Sequence, residues 1–504
     1  MVAAVCAAAL LLTSGCTSTA PTSSTAGTVP TPLARSAYPT GPPLATAPGV
    51  PAPARVPPSS RVPPWSRVPP AGSVLPGSAL AARPGGVPPA PAGVRGAIGP
   101  ALADPALAGR LGVAVLDPRT GRTVYGSDAD RAFLPASTQK LFTALAAVDT
   151  LGAGRRLTTR VVLVRAVAPG AVASLVLVGG GDVSLARAPV VVGGPPVPGA
   201  TAGAADVATL AARTASALHG VHRVRLAVDT SLFTGPAGNP SWAPSYLVGG
   251  QVSPVSALSV DAGRVGPGRR VRSANPGLAA GQELAADLRS RGLTVTVAGT
   301  PVRATASAPV LAAVQSPPVT ALVAHLLASS DNDYAEALFR LVATAAGRPA
   351  DFAGGSRAVL AALRRRGVDV RALRLYDGSG LSRSDRATPT ALAAALSAAV
   401  RVPALRPVAD GLGVAGVSGT VATGFTGPAA AGRLRVRAKT GSLAAVSALA
   451  GTVSTASAGE LVFVFLSDTL HTTDPDGPRH ALELAAARLA QCGCHVPGPA
   501  GPLR

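Results

Sequence analysis

The sequence is short of aromatic and acidic residues. Phe, Tyr and Trp make up 3% of its 504 residues, and 24 Asp and Glu stand against 45 Lys and Arg, a formal net charge of +21. The basic residues form no run and do not interleave with aromatic residues, so nucleic acid is not an expected partner. The charge fits an anionic cell-wall polymer or a membrane surface, and a compositional bias towards alanine and arginine explains it equally well.

Cysteine and histidine are also scarce. The six histidines show no metal-ligand spacing, and the four cysteines lie near the two ends of the chain, at Cys6, Cys16, Cys492 and Cys494. The H-E-x-x-H pattern of zinc peptidases and the G-x-S-x-G elbow of α/β-hydrolases are both missing. No metal and no other cofactor is therefore expected.

Two segments before residue 95 are expected to lie outside the folded domain. Residues 1–16 are apolar and end in Ser14-Gly15-Cys16, which is typical of a secretory segment with a lipoprotein-like cleavage site. We expect export to the cell envelope, with Cys16 as a candidate lipid anchor and the only membrane attachment. The usual basic residues before the apolar run are missing. Residues 17–94 are rich in Pro, Ala and Ser and predict a disordered, extended spacer.

The hydrophobic pattern after residue 95 predicts one α/β domain interrupted by an insertion. A strand, a turn and a return strand at 111–126 lead to a helix that starts at Ser137. Short alternating segments and one helix then make residues 157–305 a β-rich insertion. Helices return after 306, followed by strands predicted at 434–438, 445–454 and 460–467 and a helix at 476–490. Residues 95–156 and 306–490 would share one layered domain, with a tail at 491–504.

Three short patterns carry the chemistry. They are Ser137-Thr138-Gln139-Lys140 at a helix start, Ser330-Asp331-Asn332 between two helices, and Lys439-Thr440-Gly441-Ser442 at a strand end. A hydroxyl and an ammonium three residues apart share one helix face, and a lysine held neutral can take the serine proton. Taken singly, each pattern is more simply a helix cap or a solvated strand end. Their order along the chain favours catalysis.

This motif set resembles that of the penicillin-interacting serine acyl-transferases. Further segments are similar to the D-alanyl-D-alanine carboxypeptidase/endopeptidase group, the class C low-molecular-mass penicillin-binding proteins: 178–182, 254–261, 376–383 and 438–443. The resemblance spans residues 97–490. It implies a β-lactamase/transpeptidase-like fold, an antiparallel sheet flanked by helices, with a large insertion between the first and second motifs.

The resemblance also implies roles for the catalytic residues. Ser137 would attack the carbonyl of the penultimate D-alanine, and Lys140 would take its proton. Ser330 would relay a proton to the leaving amine, and Asn332 would hold the substrate amide beside Lys140. Peptidoglycan stem peptides would be the substrates, and β-lactams would act as inhibitors that mimic them.

The third motif would bind the substrate. Lys439 and Thr440 would receive the terminal carboxylate, within the strand segment that Gly441 and Ser442 complete. Backbone N–H groups of Ser137 and Ser442 would form the oxyanion hole. Asp377-Gly378-Ser379-Gly380 is interpreted as a turn that shapes the cleft.

Two other functions remain open at this point. A catalytically inactive wall-binding protein could keep the fold, but the intact Ser137, Lys140, Ser330, Asn332 and Lys439 argue against it. A β-lactamase or esterase on the same fold would differ in the lifetime of its penicilloyl adduct, since a penicillin-binding protein holds the adduct far longer.

Overall fold

The structure is a computed structural model that describes residues 90–165, 171–190, 201–266, 269–457, 459–472, 474 and 476–493. The strands in these ranges are β1 (Arg110–Leu116), β2 (Thr123–Ser127), β3 (Thr158–Arg165), β4 (Val172–Val178), β5 (Arg223–Asp229), β6 (Thr294–Val297), β7 (Val310–Gln315), β8 (Gly413–Val414), β9 (Val436–Leu443), β10 (Val446–Ser454) and β11 (Glu460–Asp468). The α-helices are α1 (Pro91–Leu102), α2 (Lys140–Leu151), α3 (Val207–Ala217), α4 (Pro244–Val248), α5 (Pro276–Arg289), α6 (Val319–Ser329), α7 (Asn332–Ala345), α8 (Phe352–Arg365), α9 (Pro389–Arg401), α10 (Arg406–Asp410) and α11 (Gly477–Gln491).

A six-stranded antiparallel sheet joins the two ends of the described chain. Its order is β2-β1-β11-β10-β9-β8, and β1 pairs with β11 from Arg110 opposite Asp468 to Leu116 opposite Val462. Early and late segments therefore build one sheet, and the predicted α/β fold is confirmed.

The two faces of this sheet are covered by different helices. Because side chains alternate along a strand, Val462, Val464 and Leu466 face the core that contains α2 and α6 to α9. Leu461, Phe463 and Phe465 face the opposite core, which α1 and α11 complete. The sheet is thus buried on both sides, and α2 lies in the larger core.

The middle of the chain forms a second sheet with the order β6-β5-β4-β3-β7. β4 pairs with β5, and β5 with β6, in parallel, so the chain must cross over between them. Helices α3 and α5 make these crossovers and pack on one face of the sheet. The expectation of a mostly β insertion missed α5, although Asn275, which accepts from Leu278 N, and Pro276 mark its start.

Two element boundaries differ from those expected. Helix α1 begins at Pro91, inside the segment interpreted as spacer, because Pro is compatible with the first helical turn and Val94 and Ile98 are buried beneath it. Strand β7 extends the second sheet past residue 305. Residues 1–89, including the secretory segment and Cys16, lie outside the described residues.

No single helix in the described ranges is long and apolar enough to cross a membrane. The bent pair Pro389–Arg401 and Pro403–Asp410 has the length and composition of a span only when its two helices are taken together.

Candidate active site

The first motif lies at the start of α2, but its serine is not the first residue of the helix. Residues Ala136–Gln139 form a 3-10 turn, and α2 begins at Lys140, one turn later than predicted. No side-chain cap bond is present at either start. Lys140 Nζ instead lies 2.9 Å from Ser137 Oγ, so the two side chains meet as their spacing predicted.

Lys140 is fully buried and has three hydrogen-bond partners. Besides Ser137, its Nζ donates to Asn332 Oδ1 and to the carbonyl oxygen of Ser379, both at 2.7 Å. Burial lowers the pKa of Lys140 to about 8, even though the carboxylates of Asp377 and Glu336 oppose the shift. Near neutral pH a useful fraction of Lys140 is therefore unprotonated and able to accept the Ser137 proton.

The second motif lies between α6 and α7, as predicted. Ser330 ends α6 in the left-handed region, with φ 60° and ψ 31°, and Asp331 caps α7 by accepting from Asp333 N and Tyr334 N. This leaves the Asn332 amide for the site: its Nδ2 donates to the Gln251 carbonyl oxygen at 2.8 Å, while its Oδ1 faces Lys140. Among the hydrogen bonds between described residues, none joins the Ser330 hydroxyl to Ser137 or Lys140.

The third motif lies within β9, so the strand predicted to end at residue 438 was placed too early. Lys439 is fully buried, and its Nζ donates to the Thr440 carbonyl oxygen at 2.7 Å. Burial, together with the charge of nearby Lys140, holds the pKa of Lys439 well below its usual range. Thr440 Oγ1 donates to Thr420 Oγ1 at 2.8 Å.

Gly441 brings β9 against the segment that precedes Ser137. A Cβ at Gly441 would lie 2.9 Å from the Pro135 carbonyl oxygen and 3.3 Å from Ala136 Cβ. A cavity of about 400 Å³ opens beside this part of the strand, lined among others by Thr420, Thr440, Gly441 and Ser442. The edge of β9 is thus open next to the motif that carries Ser137.

The inserted segment supplies a basic pair that faces the second motif. Arg272 Nη2 lies 2.7 Å from Asp333 Oδ2, and Arg264 Nη2 lies 3.6 Å from Asp331 Oδ2. Burial opposes ionisation of Asp331, but His325 and Arg264 hold the pKa of Asp331 below its usual range. Burial and the charge of Asp331 raise the pKa of Asp333 to about 7.

Four residues that contact the site or its neighbours lie outside the three motifs: Trp242, Gln251, Asp377 and Ser379. Segment 376–383 is similar to the family in sequence and is predicted as a turn that shapes the cleft, but its contact with Lys140 is not predicted. This segment and the inserted segment contact the site through backbone carbonyls or buried side chains, which leave no spacing pattern in the sequence.

A family model matches most of the described chain. The D-Ala-D-Ala carboxypeptidase 3 (S13) family matches at residues 94–269 and 265–489. The chain belongs to this family. Its membership of the S13 family confirms the predicted resemblance and the prediction of a serine D-Ala-D-Ala carboxypeptidase of the penicillin-binding class.

Relatives of this S13 chain are similar over most of their length. A carboxypeptidase of Mycobacterium tuberculosis, Rv3627c, is 38% identical over 81% of this chain and 85% of its own. The D-alanyl-D-alanine carboxypeptidase of Actinomadura sp. is 30% identical over 78% of this chain and 84% of its own. Penicillin binding protein 4 of Haemophilus influenzae shares the fold, with a TM-score of 0.62 at 22% identity, over 78% of this chain and 97% of its own.

Proposed function

We propose that this S13 chain acts on peptidoglycan stem peptides with Ser137 as the nucleophile of an acyl-enzyme mechanism. One observation carries the proposal: a fully buried lysine with a lowered pKa lies 2.9 Å from the Ser137 hydroxyl. Serine is a weak nucleophile until a base takes its proton, and a neutral amine at hydrogen-bond distance is such a base.

The acylation step follows from this pair. Lys140 in its neutral form takes the proton from Ser137 Oγ, and the oxygen attacks the carbonyl carbon of the penultimate D-alanine. The C–N bond then breaks, and the proton passes through Ser330 to the amine of the departing D-alanine. Asn332 holds Lys140 in place through Oδ1, and the second hydrogen of its Nδ2 is left for a substrate carbonyl. Water later hydrolyses the ester.

The substrate carboxylate is assigned to Lys439 and Thr440. A buried lysine beside a second lysine is poorly stabilised as a cation, and a bound carboxylate supplies the missing counter-charge. Gly441 and Ser442 continue the strand edge along which the peptide binds, and the backbone N–H groups of Ser137 and Ser442 serve as the oxyanion hole. β-Lactams, whose amide and carboxylate have a similar spacing, are proposed as inhibitors of the same site.

Export to the cell envelope is part of the proposal. A polymeric wall substrate lies outside the membrane, and residues 1–16 have the composition of a secretory segment. Cys16 remains a candidate lipid anchor, and the net charge of +21 keeps anionic wall polymers as candidate partners.

The test is D-alanine release from a synthetic stem peptide that ends in D-Ala-D-Ala. Ser137→Ala should lower the rate by at least about a thousandfold, because among the described residues no other hydroxyl is hydrogen-bonded to Lys140 Nζ. Ser330→Ala should cost about a hundredfold. Its matched control is Ser329→Ala, since the one hydrogen bond of the Ser329 hydroxyl within the described ranges is an exposed bond to the His325 carbonyl oxygen in the preceding turn.

Release by the Ser137→Ala variant at the rate of the unaltered protein would overturn the assignment. Equal losses for Ser329→Ala and Ser330→Ala would remove the proton relay from the mechanism.

A further inference from the structure

Asp377 is a fully buried carboxylate that accepts hydrogen bonds on both oxygens. Its Oδ1 accepts from Gln139 Nε2 at 3.0 Å, Ser379 N at 3.1 Å and Gly380 N at 2.7 Å. Its Oδ2 accepts from Trp242 Nε1 at 2.7 Å and Ser382 N at 2.8 Å. Asp377 therefore fixes the course of the whole segment 377–382.

Segment 377–382 contacts Lys140, the candidate base, and the residue next to Ser137, the candidate nucleophile. The Ser379 carbonyl oxygen accepts from Lys140 Nζ, and an added Cβ at Gly380 would overlap the Ala136 carbonyl oxygen, next to Ser137. Gln139, which lies between Ser137 and Lys140, also donates to the Asp377 carbonyl oxygen at 2.7 Å. The position of Lys140 therefore depends on a backbone that Asp377 holds.

The inserted segment contacts Asp377 and its neighbours from the other side, through Trp242 and two nearby residues. Trp242 is 7% exposed and packs edge-on against Phe352, with ring centroids 5.5 Å apart. Near it, Asn239 Nδ2 donates to the Tyr376 carbonyl oxygen and Ser241 Oγ donates to Ser382 Oγ. The hydrogen bond from the Trp242 indole N–H to Asp377 is thus one of several contacts between the insertion and segment 377–382.

We propose that Asp377 is a positioning residue that sets Lys140 against Ser137, and that Trp242 makes the inserted segment part of this support. The inference rests on the proposed function, because it concerns the geometry of that acylation step. The inference gives the inserted segment a role in acylation. The place of this segment in the sequence, between the first and second motifs, does not indicate such a role.

Asparagine cannot replace this aspartate. All five groups that bond the Asp377 side chain are N–H donors, and each points at a carboxylate oxygen. In either orientation, the amide of an asparagine would place its own N–H₂ against some of these donors, where no hydrogen bond can form. The substitution also removes a negative charge. The titratable groups facing Lys140 are Asp377, Glu336, Asp331, Asp333 and Lys439.

The test is the rate of acylation by a fluorescent penicillin, measured on the full chain from pH 6 to 9. Asp377→Asn should lower the rate per folded molecule about tenfold or more, as for a lost charged hydrogen bond. It should also move the acidic limb of the profile to lower pH, by about 0.5 to 1 unit, because the ammonium of Lys140 loses a stabilising charge. A purely structural role would not move this limb.

Trp242→Phe keeps an aromatic ring beside Phe352 and leaves the Asp377 carboxylate in place, but it removes the indole N–H that donates to Asp377. It should lower the rate several-fold with an unchanged pH profile, and it should add nothing in the Asp377→Asn background, because the contact is already broken there. The matched control is Asp117→Asn. Asp117 is also a buried aspartate, 4% exposed, and it accepts from Arg119 N and Thr120 Oγ1 in the turn after β1. The acylation rate and the pH profile of this variant should match those of the unaltered protein.

Three results would overturn the inference: an Asp377→Asn variant with normal rate and profile, a reduced yield of folded protein with an unmoved acidic limb, or additive effects of the two substitutions. If the unaltered chain takes no label at all, the proposed function itself fails, and the variants need not be compared.

Discussion

Arg272 of the inserted segment and Asp333, the residue after Asn332, form an ion pair of 2.7 Å in which both side chains are almost fully buried. Asp333 Oδ1 also accepts from Ser253 N at 2.7 Å, so the second motif is bound to the insertion on two sides. A buried pair is costly to break by removing one partner, because the other charge is left without compensation.

Arg272→Met should therefore destabilise the protein, by about 3 kcal/mol at pH 8. The loss should be smaller at pH 5.5, because Asp333, with its pKa already raised to about 7, then takes up a proton and needs no partner. Urea unfolding at the two pH values measures both effects. The control Arg371→Met removes an exposed pair with Asp369 and should leave the unfolding midpoint nearly unchanged. Equal effects of the two substitutions would contradict the account.

The rate of acylation should depend on pH through Lys140. Since the neutral amine is the base and its pKa is about 8, the rate should rise about tenfold per unit well below pH 8 and level off above it. Lys140→Met should remove the activity while the fold is kept, as judged by circular dichroism. A flat profile from pH 6 to 8 would exclude Lys140 as the base.

Gly380 and Gly367 allow a matched comparison of two left-handed glycines. Their φ angles are +81° and +77°, but a Cβ at Gly367 meets open space, whereas one at Gly380 overlaps the Ala136 carbonyl oxygen. Gly367→Ala should cost only the strain of the backbone, about 1 kcal/mol. Gly380→Ala should cost more and should also slow acylation, because the segment before Ser137 has to move. The same penicillin-labelling rate in both variants would show that this contact is unimportant.

Stability should fall as the pH rises through the titration of Glu336. Burial, and then the charge of Asp377, raise the pKa of the Glu336 carboxyl to about 8, so the folded state favours its protonated form. This contribution is complete below the ordinary pKa of a glutamate and is lost up to about pH 8. Between pH 6 and 8.5 the free energy of unfolding should fall by about 2 kcal/mol less in Glu336→Gln than in the unaltered protein, as measured by urea unfolding. Parallel losses would place the titration elsewhere.

The sequence predicted those parts of the site that local geometry determines. Ser137 and Lys140 are three residues apart, so any helical turn brings their side chains together, and Asn332 follows a recognisable break between helices. Trp242 and Asp377 are 135 residues apart, and their contact arises only when the insertion folds onto the main domain. Such contacts have no periodicity, so no pattern could have indicated them.

The elements of the fold were also predicted only in part. The early hairpin and the three late strands of the main sheet were predicted, and their pairing from both ends of the chain follows the predicted layer architecture. The two-residue strand β8 was not predicted. The end of β9 was placed too early because Lys439-Thr440-Gly441-Ser442 is polar and resembles a strand end, whereas Lys439 is buried within the strand. Helix α1 was missed because its proline and small residues resemble the spacer before it.

The most direct measurement is covalent labelling of the full chain by a fluorescent penicillin, beside Ser137→Ala, followed over time. The account predicts a stable label on the unaltered protein, located on the peptide that contains Ser137, and no label on the variant. A label that persists in Ser137→Ala, or a folded chain that takes none, would contradict it.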